Sequence, residues 1–131
     1  MSIDSETKCE PFPLFHDSRM HGVLESMGEK NFNLLPFGVI KMSRSGIVVG
    51  YNSHESENAG ILPSMVIGHH CFTVVAPCTN NFMIASRFED EEEIDLFLDY
   101  VFTLRMRPTP VELRLLKSGK FQHMFMLVRR K

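Results

Sequence analysis

The sequence predicts an α+β domain: a central antiparallel sheet of five strands, with short helices to one side and a cap at the N-terminus. Three observations carry that prediction. Strand-like runs gather at 37–51 and again over the last third of the chain, and turn residues of hairpin type separate neighbouring runs. The stretch between them is broken by Gly60, Pro63 and Gly68 into pieces too short for long helices. At 131 residues the chain is one domain. That length buries about two thirds of its unfolded surface, so folding needs neither a metal nor a disulfide.

Taken in order, Met1 to Pro13 reads as a loose lead, because Pro11 and Pro13 oppose a helix. Phe12, Leu14 and Phe15 are apolar enough to lie against the body. Asp17 and Ser18 are candidate caps for a short helix in which Met20, Val23, Leu24 and Met27 recur at helical spacing, ended by Gly28. Residues 1–33 therefore form a cap on a core of residues 34–131. Strands follow at 37–42 and 47–51, joined by the Ser43-Arg44-Ser45-Gly46 turn. Asn80 or Asn81 is placed to start a helix through Ile84, Phe88 and the acidic run Glu89 to Glu93, a solvated face. Ile94, Leu96 and Leu98 alternate with Asp95, Phe97 and Asp99 in a strand that continues to Leu104 and is interrupted by Arg107-Pro108-Thr109-Pro110. Val111, Leu113 and Leu115 alternate with Glu112, Arg114 and Leu116, which predicts one wet face for most of that strand. Ser118-Gly119-Lys120 turns the chain into a last strand at 121–129.

Composition narrows the function. The chain is 44% apolar and 23% charged, with a formal net charge of −2, which gives no electrostatic reason to expect nucleic acid or an anionic membrane. No apolar run reaches the roughly 18 residues of a membrane-spanning helix, and Met1 to Glu10 is too polar for a signal-peptide core. Three cysteines, Cys9, Cys71 and Cys78, point to a reducing, cytoplasmic setting.

Chemistry concentrates in three residues. Cys78 follows Pro77, which removes an amide and fixes the local turn, with Thr79 and Asn80 as polar neighbours. Such a thiol is either a small buried hydrophobe or a group presented to a cavity for covalent attachment. Cys71, between His70 and Phe72, fits the buried reading better. Tyr51 closes a strand and Glu55 follows it. A glutamate there is solvent-facing, or, if it turns inward, neutral or paired, since an isolated buried carboxylate is prohibitive. His69-His70-Cys71 lacks a second close Cys/His pair, so metal binding is not expected.

Around these residues the chain resembles the photoactive yellow protein family, PAS-like blue-light receptors. The resemblance spans about 35–130. It is carried by Pro36-Phe37-Gly38-Val39-Ile40, by Gly50-Tyr51-Asn52 with Glu55, and by Val66-Ile67-Gly68. Val75-Ala76-Pro77-Cys78-Thr79 is its centre, and Tyr100-Val101-Phe102 and Met106-Arg107-Pro108-Thr109 complete it. It implies p-coumaric acid (4-hydroxycinnamic acid) bound to Cys78 as a thioester, its phenolate accepting hydrogen bonds from Tyr51 and protonated Glu55. It further implies trans-to-cis isomerisation under blue light, proton transfer from Glu55, release of the cap, Phe102 lining the pocket and Met106 assisting thermal return. The implied protein is a cytoplasmic monomer or weak dimer, not an enzyme, that signals to a separate partner. Nucleic acid, membrane and metal have no part in that reading.

Several positions depart from the family pattern. Ala59 stands where a threonine bonds the pocket tyrosine, Ile61 where an arginine covers the pocket, Leu104 where a tyrosine is usual, and Cys71 where an aromatic is usual. The expectation is a receptor with altered colour or kinetics. A chromophore-free PAS-like ligand-binding or interaction module, and a thiol enzyme using Cys78, are the alternatives.

Overall fold

The computed structural model describes residues 13–103 and 107–131. Cys9, Phe12, Leu104 and Met106, named above, lie outside them. Five strands form one antiparallel sheet in the order β2-β1-β5-β4-β3: β1 Gly38–Met42, β2 Val48–Tyr51, β3 Ile94–Phe102, β4 Thr109–Lys117 and β5 Met124–Arg130. The helices are α1 Met20–Ser26, α2 Glu29–Phe32, α3 Ser53–Ala59, α4 Pro63–Val66 and α5 Ala85–Asp90. A π-helical turn at Cys71–Val75 and a 3-10 turn at Pro77–Thr79 come between α4 and α5.

Side-chain alternation divides the sheet into two faces. Ile40, Met42, Leu113, Leu115, Met126, Val128 and Phe102 face the α3–α5 layer with Val66, Phe72, Ile84 and Phe88. Val39, Leu116, Phe125 and Leu127 face the other way, under Phe15, Met20 and Leu24. The interior strand β4, between β5 and β3, therefore has no wet face from Leu113 to Leu116. Arg114 and Leu116 are each 1% exposed, because the 15–24 segment lies over the side the alternation assigned to solvent. Arg114 is accommodated there by donating to Phe15 O (2.9 Å), Asp17 O (2.7 Å) and both Asp95 carboxylate oxygens (2.9 and 3.0 Å).

Several boundaries differ from the sequence reading. Asp17 accepts from the Arg19 amide and side chain rather than capping α1 at its first residue. Gly28 precedes α2 instead of ending α1. Pairing in β4 resumes at Thr109–Pro110, and β5 begins at Met124 after a turn at 118–122. Asn81 does start the 82–90 segment, its Oδ1 accepting from the Met83 and Ile84 amides (2.9 and 3.2 Å), but α5 stops at Asp90, and 89–93 is exposed. No helix among the described residues is long and apolar enough to cross a membrane.

Candidate functional site

Tyr51 enters the core through an irregularity in its strand. Val48 and Tyr51 are both buried on the helical side although their spacing is odd. The pairing runs Ile40 with Tyr51, Lys41 with Gly50, then Met42 with Val48, so Val49 bulges out and resets the alternation. Tyr51 thereby joins the same packed cluster as Phe102, against which Ile61 and Cys78 also pack.

Glu55 is placed by Asn52. The Asn52 side chain accepts from the Glu55 amide (3.1 Å) and the Val39 amide (2.9 Å) and donates to the carbonyls of Phe37 (2.9 Å) and Phe32 (3.2 Å). This ties the start of α3 to β1 and to α2 at once. One helical turn puts Glu55 and Ala59 on the buried side of α3, and Gly60, with φ +72°, closes the helix. Glu55 is 1% exposed and is met by Arg130 at the end of β5: Nη1 to Oε1 is 2.7 Å and Nη2 to Oε2 is 3.3 Å. Burial pushes the Glu55 carboxyl above its ordinary value, while the Arg130 guanidinium, and more weakly His54, oppose that. Glu55 thus turns inward, and it is paired.

Beside this pair opens a cavity of about 610 Å³ lined by Asn58, Ala59, Ile61, Phe102, Arg107, Thr109 and Arg130. That volume is within the range of small-molecule sites. Two guanidinium groups on its wall bias it toward an anionic occupant. The lining unites Ala59, Ile61 and Phe102 and includes neither Tyr51 nor Cys78, which belong to the adjoining core cluster. Met106 lies outside the described residues.

Cys78 sits half-buried on the 3-10 turn. Tyr100 reaches across from β3 and donates its hydroxyl proton to the Cys78 carbonyl (2.6 Å), while Asn81 Nδ2 donates to the Tyr100 oxygen (2.6 Å). The Thr79 hydroxyl gives its proton to the Ala76 carbonyl (2.6 Å) and so does not donate to the thiol. Cys71 is fully buried, and burial with the nearby Cys78 pushes its thiol up to about 12. His70 accepts from the Phe72 amide (3.2 Å) at the start of the π-helical turn.

Sequence reasoning missed Arg130, the link from Asn81 through Tyr100 to Cys78, and the double role of Asn52. Two signals were present. Asn52-Ser53-His54-Glu55 has the spacing of a helix-start capping box, and Arg130 falls in phase with Met126 and Val128, a cation on an apolar face.

An antiparallel sheet in this strand order, with short helices and a cavity over one face, is the architecture of a PAS-type domain. The PAS domain of an HTR-like protein from Haloarcula marismortui superposes with a TM-score of 0.58 over 86% of this chain and 98% of its own, at 14% identity, a likeness of fold alone. No protein-family model matches the chain. The photoactive yellow protein of Halochromatium salexigens is 33% identical over 107 residues, 79% of this chain and 86% of that one. That of Rhodothalassium salexigens is 29% identical over the same length. The photoactive yellow protein domain of the sensor histidine kinase Ppr from Rhodospirillum centenum matches with a TM-score of 0.75 and 37% identity, over 82% of this chain and 97% of its own. The chain belongs to the photoactive yellow protein family.

Proposed function

We propose that this chain is a blue-light receptor that carries p-coumaric acid as a thioester on Cys78. Besides the family, one observation supports the reading: a buried carboxyl, Glu55, stands at the edge of a cavity while a half-exposed thiol is fixed on a turn packed against the same core. When bound, the p-coumaroyl group supplies visible absorption and a double bond that light turns from trans to cis. Cys78 Sγ would hold it as a thioester, formed by attack of the thiolate, its proton lost to solvent, on an activated carboxyl whose leaving group departs. Tyr51 and Glu55 hold the phenolic end by hydrogen bonds, charge-assisted and therefore strong when that end is ionised. Ala59, Ile61 and Phe102 shape the wall, and Met106 assists return in the dark.

Once free of Arg130 and protonated, Glu55 would give its carboxyl proton to the phenolic oxygen after illumination and would be left as a buried carboxylate. Wherever Arg130 does not compensate it, a charge so placed costs several kcal/mol, roughly, against a total stability of about 5–15 kcal/mol. The least stable part yields, and in this reading that is the 1–33 cap. The exposed surface then meets a separate signalling protein, with the receptor itself a cytoplasmic monomer or weak dimer. A relative that is a domain of a sensor histidine kinase supports a signalling output over catalytic turnover.

The test is reconstitution of the apo-protein with an activated p-coumaric ester, wild type beside Cys78→Ala. A visible band in wild type alone, bleached by blue light and recovering in darkness, is the expected result. No Cys78-dependent adduct by mass would overturn the reading in favour of a chromophore-free interaction module.

A further inference from the structure

We propose that Arg130 is a positioning residue of this site, one that holds Glu55 as an ionised acceptor and must release it before Glu55 can act as a proton donor. The proposal rests on the reading of Cys78 as the chromophore-bearing residue, and it deepens that reading by naming what regulates the proton.

The geometry is two-pronged. Arg130 engages both carboxylate oxygens, the nearer at 2.7 Å, which is the arrangement in which a guanidinium favours a charged carboxylate most. Its own side chain is only partly exposed, at 19%, and it also lines the cavity. It therefore meets Glu55 and faces the cavity at once. Besides Arg130, the charge of His54 on the same helix acts on Glu55, and Arg107 shares the cavity wall with Arg130.

The consequence follows from counting one proton. It resides either on Glu55, leaving an ionised phenol with a strong donor beside it, or on the phenol, leaving Glu55 charged and paired with Arg130. Total charge is equal in the two arrangements, so local bonding decides between them. Arg130 favours the second, which absorbs in the near-ultraviolet, and burial of Glu55 favours the first, which absorbs in the visible. Arg130 is thereby a colour-setting residue.

Two measurements test this on the full chain. In the chromophore-free protein, carbon-13 NMR of the Glu55 carboxyl, assigned with Glu55→Gln, is titrated in wild type, Arg130→Met and Arg130→Lys. Arg130→Met should raise the Glu55 midpoint by about 1–3 pH units, and Arg130→Lys, which keeps the charge, should recover most of that shift. An unmoved midpoint would overturn the proposal whatever the chromophore does. In the loaded protein, with acylation of Cys78 confirmed by mass, Arg130→Met should lower the pH at which the visible band appears. A rise instead would make Arg130 the direct counter-ion of the phenol and overturn the assigned role. If wild type takes up no acyl group, the receptor reading and the colour-setting role fall together, while the Glu55 titration still decides whether Arg130 governs that carboxyl.

Discussion

Gly38 of β1 lies directly beneath the Glu55 carboxyl: a β-carbon added there would stand 2.1 Å from Oε1 and 3.1 Å from the Glu55 Cβ. The glycine is thus a seat for the carboxylate, and its missing side chain is what lets α3 bring Glu55 to the sheet and to Arg130.

Gly38→Ala should accordingly displace the Glu55 carboxyl, because the clash is with Oε1, the atom Arg130 holds at 2.7 Å, while Cβ and Cδ at 3.1 Å are tight contacts. Overpacking of this kind costs about 1–3 kcal/mol. Urea unfolding should show that loss. Combined with Arg130→Met, the two losses should be less than additive, since both break the same pair. Full additivity would mean that Gly38 acts on something other than the Glu55–Arg130 contact.

Arg114 is the second point where one side chain joins separate parts of the chain. It donates to two carbonyls of the N-terminal segment, pairs with Asp95 and stacks over Phe97 at 4.7 Å. Arg114→Met leaves the Phe15 and Asp17 carbonyls without this donor, for an expected loss of about 2–4 kcal/mol. Asp95 is half exposed, so Asp95→Asn should cost only about 0–1 kcal/mol. Amide exchange in α1 should accelerate in Arg114→Met ahead of exchange in β4 and β5. Uniform acceleration would count against a local latch on the cap.

The contrast between these residues explains what could be read from sequence. Ile94 to Phe102 was legible because its face toward the α3–α5 layer is apolar at every second position, and burial follows that pattern. The neighbouring strand misled at Arg114 and Leu116, because a charged residue in the polar phase looks the same whether water or a folded-over segment covers it. Tyr51 faces the core through a bulge at Val49, and a strict alternation in Ile47-Val48-Val49-Gly50-Tyr51 gives no notice of it. At the site, the Cys78, Tyr51 and Glu55 motifs are local and stand out. Arg130, from the opposite end of the chain, meets Glu55 only through the pairing of β5 beside β1, a long-range fact that no local pattern contains.

The two described cysteines should differ sharply in reactivity. Cys71 is fully buried, with its thiol pushed up to about 12, and Cys78 is half exposed. At about pH 8 the thiolate fraction of Cys71 is then about one in ten thousand. Brief alkylation of the native apo-protein followed by peptide mapping should find label on the Cys78 peptide and essentially none on that of Cys71, with both labelled in denaturant. Equal labelling in the native state would show that the Cys71–Val75 turn opens readily.

His21 gives the fold a specific dependence on pH. Its ring is buried against Phe121 and Phe125, and Nε2 donates to the His123 carbonyl (2.8 Å). Burial lowers its proton affinity below the ordinary histidine value, although that bond and the charges of Glu25, Asp95 and Glu93 oppose the shift. The unfolded chain then takes up a proton at His21 before the folded one does. Stability from neutral His21 is complete above about pH 6.5 and is lost as the pH falls through the lower folded value. Glu25, Glu93 and Glu112 are all held below the usual carboxylate range, and Asp17 is brought to about 2 by Arg19. These groups act on the more acidic limb, not in this window. His21→Gln keeps a donor for the His123 carbonyl and removes the titration. Urea midpoints should therefore fall less steeply for His21→Gln than for wild type between about pH 7 and about pH 5. Parallel slopes would show that His21 does not carry the acid sensitivity of the fold in this window.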